Sequence, residues 1–437
     1  MSARTTAPVS WVTGPPTLAT PALTLKEPDA LDAEPLWRHL ATEEVGRWMS
    51  DAPPTSDGFR RFFEWVRRER AAGRGICYAI RSAGQREPVG LIQARSIEPG
   101  FGVAEWGFAI GRSYWGTGLF LEAARTFGDF LFHRVGVQRL EARAAVSNGR
   151  GAGALMKLGA EPEGILRRAF ERRGERFDQV LWAINREPWL SRFVQPIGVV
   201  EPSELRDDIP GTGEPRRSRG EWTEGLPMLA GDGCVLRELM EEDAPLLAGL
   251  LSAPAVTRFL APPPNGVPGF QQFVKWTRLQ REAGRSAAFG IVPTGMDRAV
   301  GFLQLHSVNH GLGIAEWGFA LGEPYWGSGL FRAGAELMLQ FTFETLKVRR
   351  LEARAAVNND RGNGALRKLG ATAECRLRRS FLIDDRCHDD MLWSLLDDEW
   401  RSRSVRHVRD ATSTPATTAS RSPESPTERD AAEPTNL

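Results

Sequence analysis

Residues 104–118 read AEWGFAIGRSYWGTG, and residues 315–329 read AEWGFALGEPYWGSG. A constant offset of 211 keeps the chain in register with itself from Leu25/Leu236 to Trp189/Trp400 without a gap. Phe59 matches Phe270, Trp65 matches Trp276, Gly90 matches Gly301 and Trp182 matches Trp393, while Leu140–Val146 and Leu351–Val357 are identical letter for letter. Each unit holds about 165 residues, the size of a domain with its own core and far above the period of a solenoid repeat. The chain therefore folds as one architecture built twice, and a site in one copy has a counterpart in the other.

The repeat sets the domain limits at 23–189 and 234–400. Residues 1–22, rich in Thr, Pro and Ala, and residues 401–437, rich in Ser, Thr, Pro, Arg and Glu, are expected to be disordered tails. Between the copies, residues 190–233 include PGTGEPRRSRGEWTEGLP and are expected to be a linker, with Trp222 available to touch one unit. Two joined copies can pack as an internal pseudo-dimer, although a linker of this length also permits independent domains.

The formal net charge is +1, with 41% hydrophobic and 25% charged residues, so no global field draws the chain to nucleic acid or to an anionic membrane. Cys77, Cys234, Cys375 and Cys387 form no CxxC pair, which argues against a disulfide framework or a zinc site. His306 and His310 are four apart, but HSVNHGLG reads as strand and turn, so no metal is expected. No apolar run approaches the roughly 20 residues of a spanning helix, and the N-terminus lacks a secretory pattern. A soluble protein of the reducing cytoplasm is expected.

In copy 1 a short strand at 23–27 precedes a helix from Asp29, its N-cap, to about residue 42. Phe59, Phe62, Phe63 and Val66 have helical spacing, and Gly73 ends that helix. Strands are expected at 76–81, 88–96 and 103–110, a helix from Leu119 to about His133, a strand at 140–146, a helix at 151–158 and a closing hairpin to Trp189. The central strand, glycine loop, helix and following strand make a right-handed βαβ unit.

Gly116-Thr117-Gly118 and Gly327-Ser328-Gly329 fall where a strand ends and a helix begins. Glycine permits close backbone approach there, and unpaired amides at a helix start hold anionic phosphate, although GxG alone also describes a plain tight turn. No GxxxxGK[ST] occurs at this turn. A dinucleotide fingerprint lacks its third glycine, at Leu121 or Arg332, and Glu141 and Glu352 open their strands where no ribose reaches.

The ordered set AEWGF, YWGTGL, helix, strand, NGR and a helix ending LMKLGA resembles the Gcn5-related N-acetyltransferases, particularly their RimJ/RimL-type branch. The resemblance covers both copies, about three quarters of the chain. It implies an α/β (α+β) fold of two tandem domains, each a mixed, mostly antiparallel central sheet flanked by helices, with acetyl-CoA as acetyl donor and no metal. It further implies that the backbone of Trp115, Gly116, Thr117, Gly118, Leu119 and Phe120 holds the pyrophosphate, as does that of Trp326, Gly327, Ser328, Gly329, Leu330 and Phe331. The strand edges at Phe108, Ala109 and Ile110, and at Phe319, Ala320 and Leu321, would pair with the pantetheine amides, leaving the thioester near a bulge where amides stabilise the developing oxyanion. Asn148 and Asn359 would stand beside the pantetheine arm, and Arg150 and Arg361 would pair with the phosphates. Each Asn also suits a helix cap, and one side chain can do both.

Transfer requires a neutral amine and a group that receives its proton. Glu105 and Glu316, on the central strand where RimJ/RimL-type chains often carry an acid, are the candidate general bases. A structural acid hydrogen-bonded within the fold is the alternative. The family's frequent general-acid tyrosine is replaced by Met156 and Arg367, and the serine of NxRS by Gly151 and Gly362. The thiolate then takes its proton from solvent or from the departing ammonium.

The closing hairpins differ in charge. Copy 1 gathers Arg167, Arg168, Arg172, Arg173 and Arg176, and copy 2 gathers Asp384, Asp385, Asp389 and Asp390. This suggests acidic peptides as acceptors for copy 1 and polyamines or other cationic amines for copy 2. The expected activity is N-acetyl transfer to a primary amine, on a protein N-terminus or a small molecule. An acetyl-CoA-binding regulatory protein with one or both sites inactive is the alternative.

Overall fold

Alternating burial along the apolar runs builds two sheets of one design. The computed structural model describes residues 11–49, 52–97, 100–193, 199–200, 221–260, 263–307, 313–383 and 386–403. In copy 1 the strands are β1 (Thr17–Ala19), β2 (Leu23–Lys26), β3 (Gly75–Ser82), β4 (Gly90–Ser96), β5 (Val103–Ile110), β6 (Arg139–Ala145), β7 (Glu161–Arg172), β8 (Glu175–Asn185) and β9 (Val199–Val200). They are ordered β7-β8-β6-β5-β4-β3-β2-β1-β9. Copy 2 has β10 (Leu229–Gly231), β11 (Cys234–Glu238), β12 (Ser286–Pro293), β13 (Gly301–Ser307), β14 (Ile314–Leu321), β15 (Arg350–Ala356), β16 (Thr372–Ile383) and β17 (Arg386–Leu396). Their order is β10-β11-β12-β13-β14-β15-β17-β16. Among the described residues the parallel neighbours are β5 with β6 and β14 with β15. The fold is thus α/β, two tandem mixed and mostly antiparallel sheets.

The helices are α1 (Ala33–Leu40), α2 (Glu43–Gly46), α3 (Ser56–Ala71), α4 (Leu119–Phe130), α5 (Gly149–Lys157) and α6 (Arg186–Arg192) in copy 1. Copy 2 has α7 (Ala244–Leu251), α8 (Pro254–Thr257), α9 (Gly266–Glu282), α10 (Leu330–Gln340) and α11 (Asp360–Lys368). Strand alternation sorts the core into two layers. Ile76, Tyr78, Ile80, Trp106 and Leu140 pack with Phe127 of α4, whereas Cys77, Ala79 and Ala109 pack with Leu36 of α1 and Phe59 and Phe63 of α3. Asp29 caps as expected: its Oδ1 accepts from Leu31 N at 2.9 Å, and Asp32 Oδ2 accepts from Asp29 N at 2.9 Å. It opens a 3-10 turn that leads into α1. Among the described residues no helix is long and apolar enough to cross a membrane.

Two expectations need correction. Part of the N-terminal span assigned to a tail is ordered: Leu18 of β1 is buried, and the carbonyl of Pro16 accepts a hydrogen bond from the Tyr78 hydroxyl at 2.7 Å. Part of the span assigned to the linker also has structure, because β9 pairs with the edge of β1, a 3-10 turn forms at Glu221–Thr223, and β10 pairs with β11. These edge elements are two or three residues long, too short to leave a periodic signal. Residues 1–10, 194–198, 201–220 and 404–437 lie outside the described residues.

The copies meet through faces that the helices do not cover. Arg139, Glu141 and Arg143 alternate on the face of β6 opposite α4, and Arg350, Glu352 and Arg354 do so on β15. Arg143 forks onto Glu352 at 2.9 and 2.8 Å, and Arg354 forks onto Glu141 at 3.1 and 2.9 Å. Arg139 donates to the carbonyl of Arg378, and Arg350 to that of Arg167. Leu166, Leu181, Leu377 and Leu392 share one apolar cluster between the copies. Each of these bonds has a mate displaced by the repeat offset, the pattern of an isologous interface.

Candidate functional site

The opening in each sheet follows from where the parallel pairing stops. β5 pairs with β6 at Val103↔Arg139, Ala104↔Leu140 and Glu105↔Glu141, and no further. β5 continues along β4 to Ile110, while β6 continues along β8 to Ala145. The β5 edge from Trp106 to Ile110 therefore borders a cleft between strands that share one sheet. In copy 2 the pairing ends at Glu316↔Glu352, leaving the edge from Trp317 to Leu321. The register of β5 on β4 is unbroken from Gly90↔Ile110 to Ser96↔Ala104, so the expected bulge is absent from this pairing and divergence of the parallel pair makes the opening.

At the end of β5 the chain makes a 3-10 turn, and the indole of Trp115 donates to the carbonyl of Ile110 at 3.0 Å. Gly116 and Gly118 follow at φ 76° and 87°, and Gly327 and Gly329 at 75° and 86°. A Cβ at any of the four would meet nothing within 4 Å, so glycine is required by backbone conformation rather than by space. Thr117 Oγ1 donates to Tyr114 O at 2.8 Å and accepts from Leu119 N at 3.3 Å, and Ser328 repeats both bonds. The first regular helical bond of α4 is Glu122 N to Gly118 O. The amides of Phe120 and Leu121 precede it and form the donor end of the helix, which suits an anion.

The remaining loop and strand candidates sort by exposure. Ala109, Ile110 and Leu119, like Ala320, Leu321 and Leu330, are buried, so they offer backbone rather than side chain. The rings of Phe108 and Phe120 lie 4.2 Å apart, and those of Phe319 and Phe331 4.4 Å apart, joining strand edge to helix start. Asn148 Oδ1 accepts from Gly151 N at 3.0 Å and Asn359 Oδ1 from Gly362 N at 3.0 Å, so both act as helix caps. A Cβ at Gly151 would lie 2.5 Å from Asn148 Nδ2; glycine there lets the amide fold back onto the helix. Arg150 stacks 3.8 Å over the ring of Trp115, and Arg361 stacks 3.5 Å over Trp326. The arginines thus stand beside the glycine loops.

The two acids have different surroundings. Glu105 Oε2 accepts from Arg95 Nη2 at 2.7 Å and faces Arg143 Nε at 3.8 Å. Glu316 lies 3.6 Å from Arg354 Nε, and the residue across the strand from it is His306. Burial pushes the Glu316 carboxyl above its ordinary value; Arg354 opposes that shift and nearby Glu352 reinforces it. Burial also lowers the His306 imidazole to about 4, so this ring is neutral near pH 7. Arg95 escaped notice in the sequence. Its signal, a cation in register with Glu105, becomes visible only once β4 and β5 are paired.

Several of the hairpin arginines make contacts within the chain. Arg167 binds Glu374 of the other copy, Arg172 binds the carbonyls of Gly46 and Met49, and Arg173 binds Glu43. In copy 2, Asp389 pairs with Arg376 and buried Asp390 accepts from Ser380. Asp384 and Asp385 lie outside the described residues, as does His310. The charge contrast seen in the hairpin sequences is thus largely consumed by contacts within the chain, and the acceptor preferences suggested from it lose that support.

The family model described as "Acetyltransferase (GNAT) domain" matches residues 22–161 and again residues 234–372. The chain belongs to the GNAT acetyltransferases. Among its GNAT relatives, the Bacillus licheniformis "Uncharacterized N-acetyltransferase p20" is 27% identical over 169 residues, which is 38% of this chain and 95% of that protein. The Bacillus subtilis "Uncharacterized N-acetyltransferase YoaA" is 24% identical over 173 residues, 39% of this chain and 96% of that protein. Each comparison takes nearly the whole relative and one copy's length here. A solved structure of Mycobacterium smegmatis RimJ in complex with CoA-disulfide is 23% identical with a TM-score of 0.36, covering 39% of this chain and 87% of its own.

Proposed function

We propose that this GNAT protein transfers the acetyl group of acetyl-CoA to a primary amine by direct attack in a ternary complex. The observation that carries the reading is the coincidence, in both copies, of three features: a strand pair that parts immediately after an acid, an open strand edge, and a positive-φ glycine turn at a helix start. An extended pantetheine arm fits the strand edge as an added strand would, through backbone amides and carbonyls of Trp106–Ile110 and Trp317–Leu321. The helix-start amides and the arginines stacked on Trp115 and Trp326 suit the pyrophosphate. The amine nitrogen forms its bond to the thioester carbonyl as the carbon–sulfur bond breaks; Glu105 or Glu316 receives the amine proton, directly or through water, and the thiolate is protonated from solvent. An α-amino group, with a pKa of roughly 8, supplies more neutral amine near pH 7 than a lysine does.

Thiol release from acetyl-CoA, measured against a panel of α-amino peptides, polyamines and other small amines, tests the proposal. Glu105→Gln and Glu316→Gln together are expected to lower turnover about 100-fold or more while acetyl-CoA still binds. Saturable acetyl-CoA binding without thiol release for any amine would instead favour a regulatory binding protein.

A further inference from the structure

We infer that the two copies are unequal: the residue across the strand from each acid, Arg95 in copy 1 and His306 in copy 2, makes copy 2 the site that receives a cationic amine and transfers the acetyl group, and makes copy 1 an acetyl-CoA site of low turnover. The inference rests on the reading of Glu105 and Glu316 as bases.

The repeat isolates the difference. Arg95↔Glu105 and His306↔Glu316 are the same cross-strand pair in the two sheets. Arg143 and Arg354, the cations that reach the acids from β6 and β15, are also equivalent, and each is forked onto a carboxylate of the other copy. They do not distinguish the sites. Arg95 does, because its guanidinium occupies Oε2 of Glu105 and is charged at any working pH. Its side chain is 42% exposed, so it stands at the solvent rim where an acceptor would arrive.

Two consequences follow for copy 1. The oxygen that would take a proton already accepts a charge-assisted hydrogen bond, and an incoming alkylammonium meets a like charge beside its destination. Copy 2 has neutral His306 in that place, and Glu316 stands beside Arg354 of β15 in the field of Glu352, Arg143 and Glu141. In the place of the Arg95 guanidinium it has an uncharged ring, and its acid binds a proton more readily than an ordinary glutamate. A cationic acceptor is therefore attracted to Glu316 and can give up its proton there.

The test uses the full chain, acetyl-CoA and spermidine, with thiol release as the rate and calorimetry for acetyl-CoA binding. Glu316→Gln is expected to lower kcat/KM about tenfold more than Glu105→Gln does. His306→Arg should lower kcat/KM for spermidine about tenfold with acetyl-CoA stoichiometry intact. The decisive variant adds Arg95→His to Glu316→Gln and should recover at least about threefold of the lost rate, a gain that structural damage does not produce. Equal losses in the two glutamine variants, or no recovery in the double variant, overturn the inequality and leave the base assignment standing. Wild-type turnover unaffected by either glutamine variant, or no wild-type turnover with any amine, overturns the base assignment and this inference with it.

Discussion

Gly118 and Gly329 carry a backbone requirement at the turn proposed to hold the pyrophosphate. Each sits in the left-handed region with open space where a Cβ would go. Alanine therefore meets no clash, and its cost is conformational, about 1–2 kcal/mol. Gly118→Ala is expected to lower unfolding free energy by about that amount and to weaken acetyl-CoA binding about tenfold at copy 1, because relaxing φ turns the helix-start amides away. Gly153→Ala is the control: the residue lies inside α5, also with open space at its Cβ, and alanine there should stabilise by about 0.5–1 kcal/mol. Urea titration and calorimetry read both quantities. A Gly118→Ala protein as stable as wild type, with unchanged acetyl-CoA affinity, would refute the role given to this turn.

At the scale of elements, β6 and β15 couple the interface to the sites. Glu141 is fully buried between Arg354 and Arg139, and these cations hold its carboxyl down to about 2 despite the cost of burial; Glu352 is held lower by Arg143 and Arg350. A carboxylate depressed in the folded state contributes stability above its unfolded value of roughly 4.3, and that contribution is lost as pH falls toward the folded value. The urea midpoint is therefore expected to drop steeply between about pH 4.5 and pH 2. Glu141→Gln should cost about 3–5 kcal/mol at pH 7, by leaving two buried guanidinium groups short of charge, and should flatten the acid dependence. An acid transition of unchanged steepness in that variant would count against the network.

The same strands show what the sequence could and could not reveal. The run LEARAAV predicts a strand, and the structure has one, with Leu140, Ala142 and Ala144 on the core face. Its Arg-Glu-Arg face, however, has the alternation of a solvated surface; only the presence of a second copy turns that face into a buried interface. The glycine turns, the strand–helix order and the Asn positions were legible because each depends on local backbone chemistry. Arg95 beside Glu105, the parting of β5 from β6 and the short edge strands depend on pairing between distant segments, which leaves no local mark.

For the whole molecule, Gly164 and Cys375 fix how the halves meet. They occupy equivalent positions in β7 and β16, separated by the repeat offset, and they face one another: a Cβ built on Gly164 would lie 2.2 Å from the Cβ of Cys375. Equivalent residues in contact must lie on the pseudo-twofold axis, where an exact repeat would place either two glycines or two cysteines. Two cysteines cannot fit at that spacing, since even bridged cysteines keep their Cβ atoms about 3.8 Å apart. One small and one larger residue therefore fill the axis, and the requirement is for the pair rather than for either position. Gly164→Cys alone is expected to destabilise by about 1–3 kcal/mol through overpacking. The double exchange Gly164→Cys with Cys375→Gly restores one glycine facing one cysteine from the opposite side, and should recover most of that loss. Thermal unfolding of the single and double variants under reducing conditions reads the coupling; additive losses with no recovery would show that the two halves do not meet on this axis.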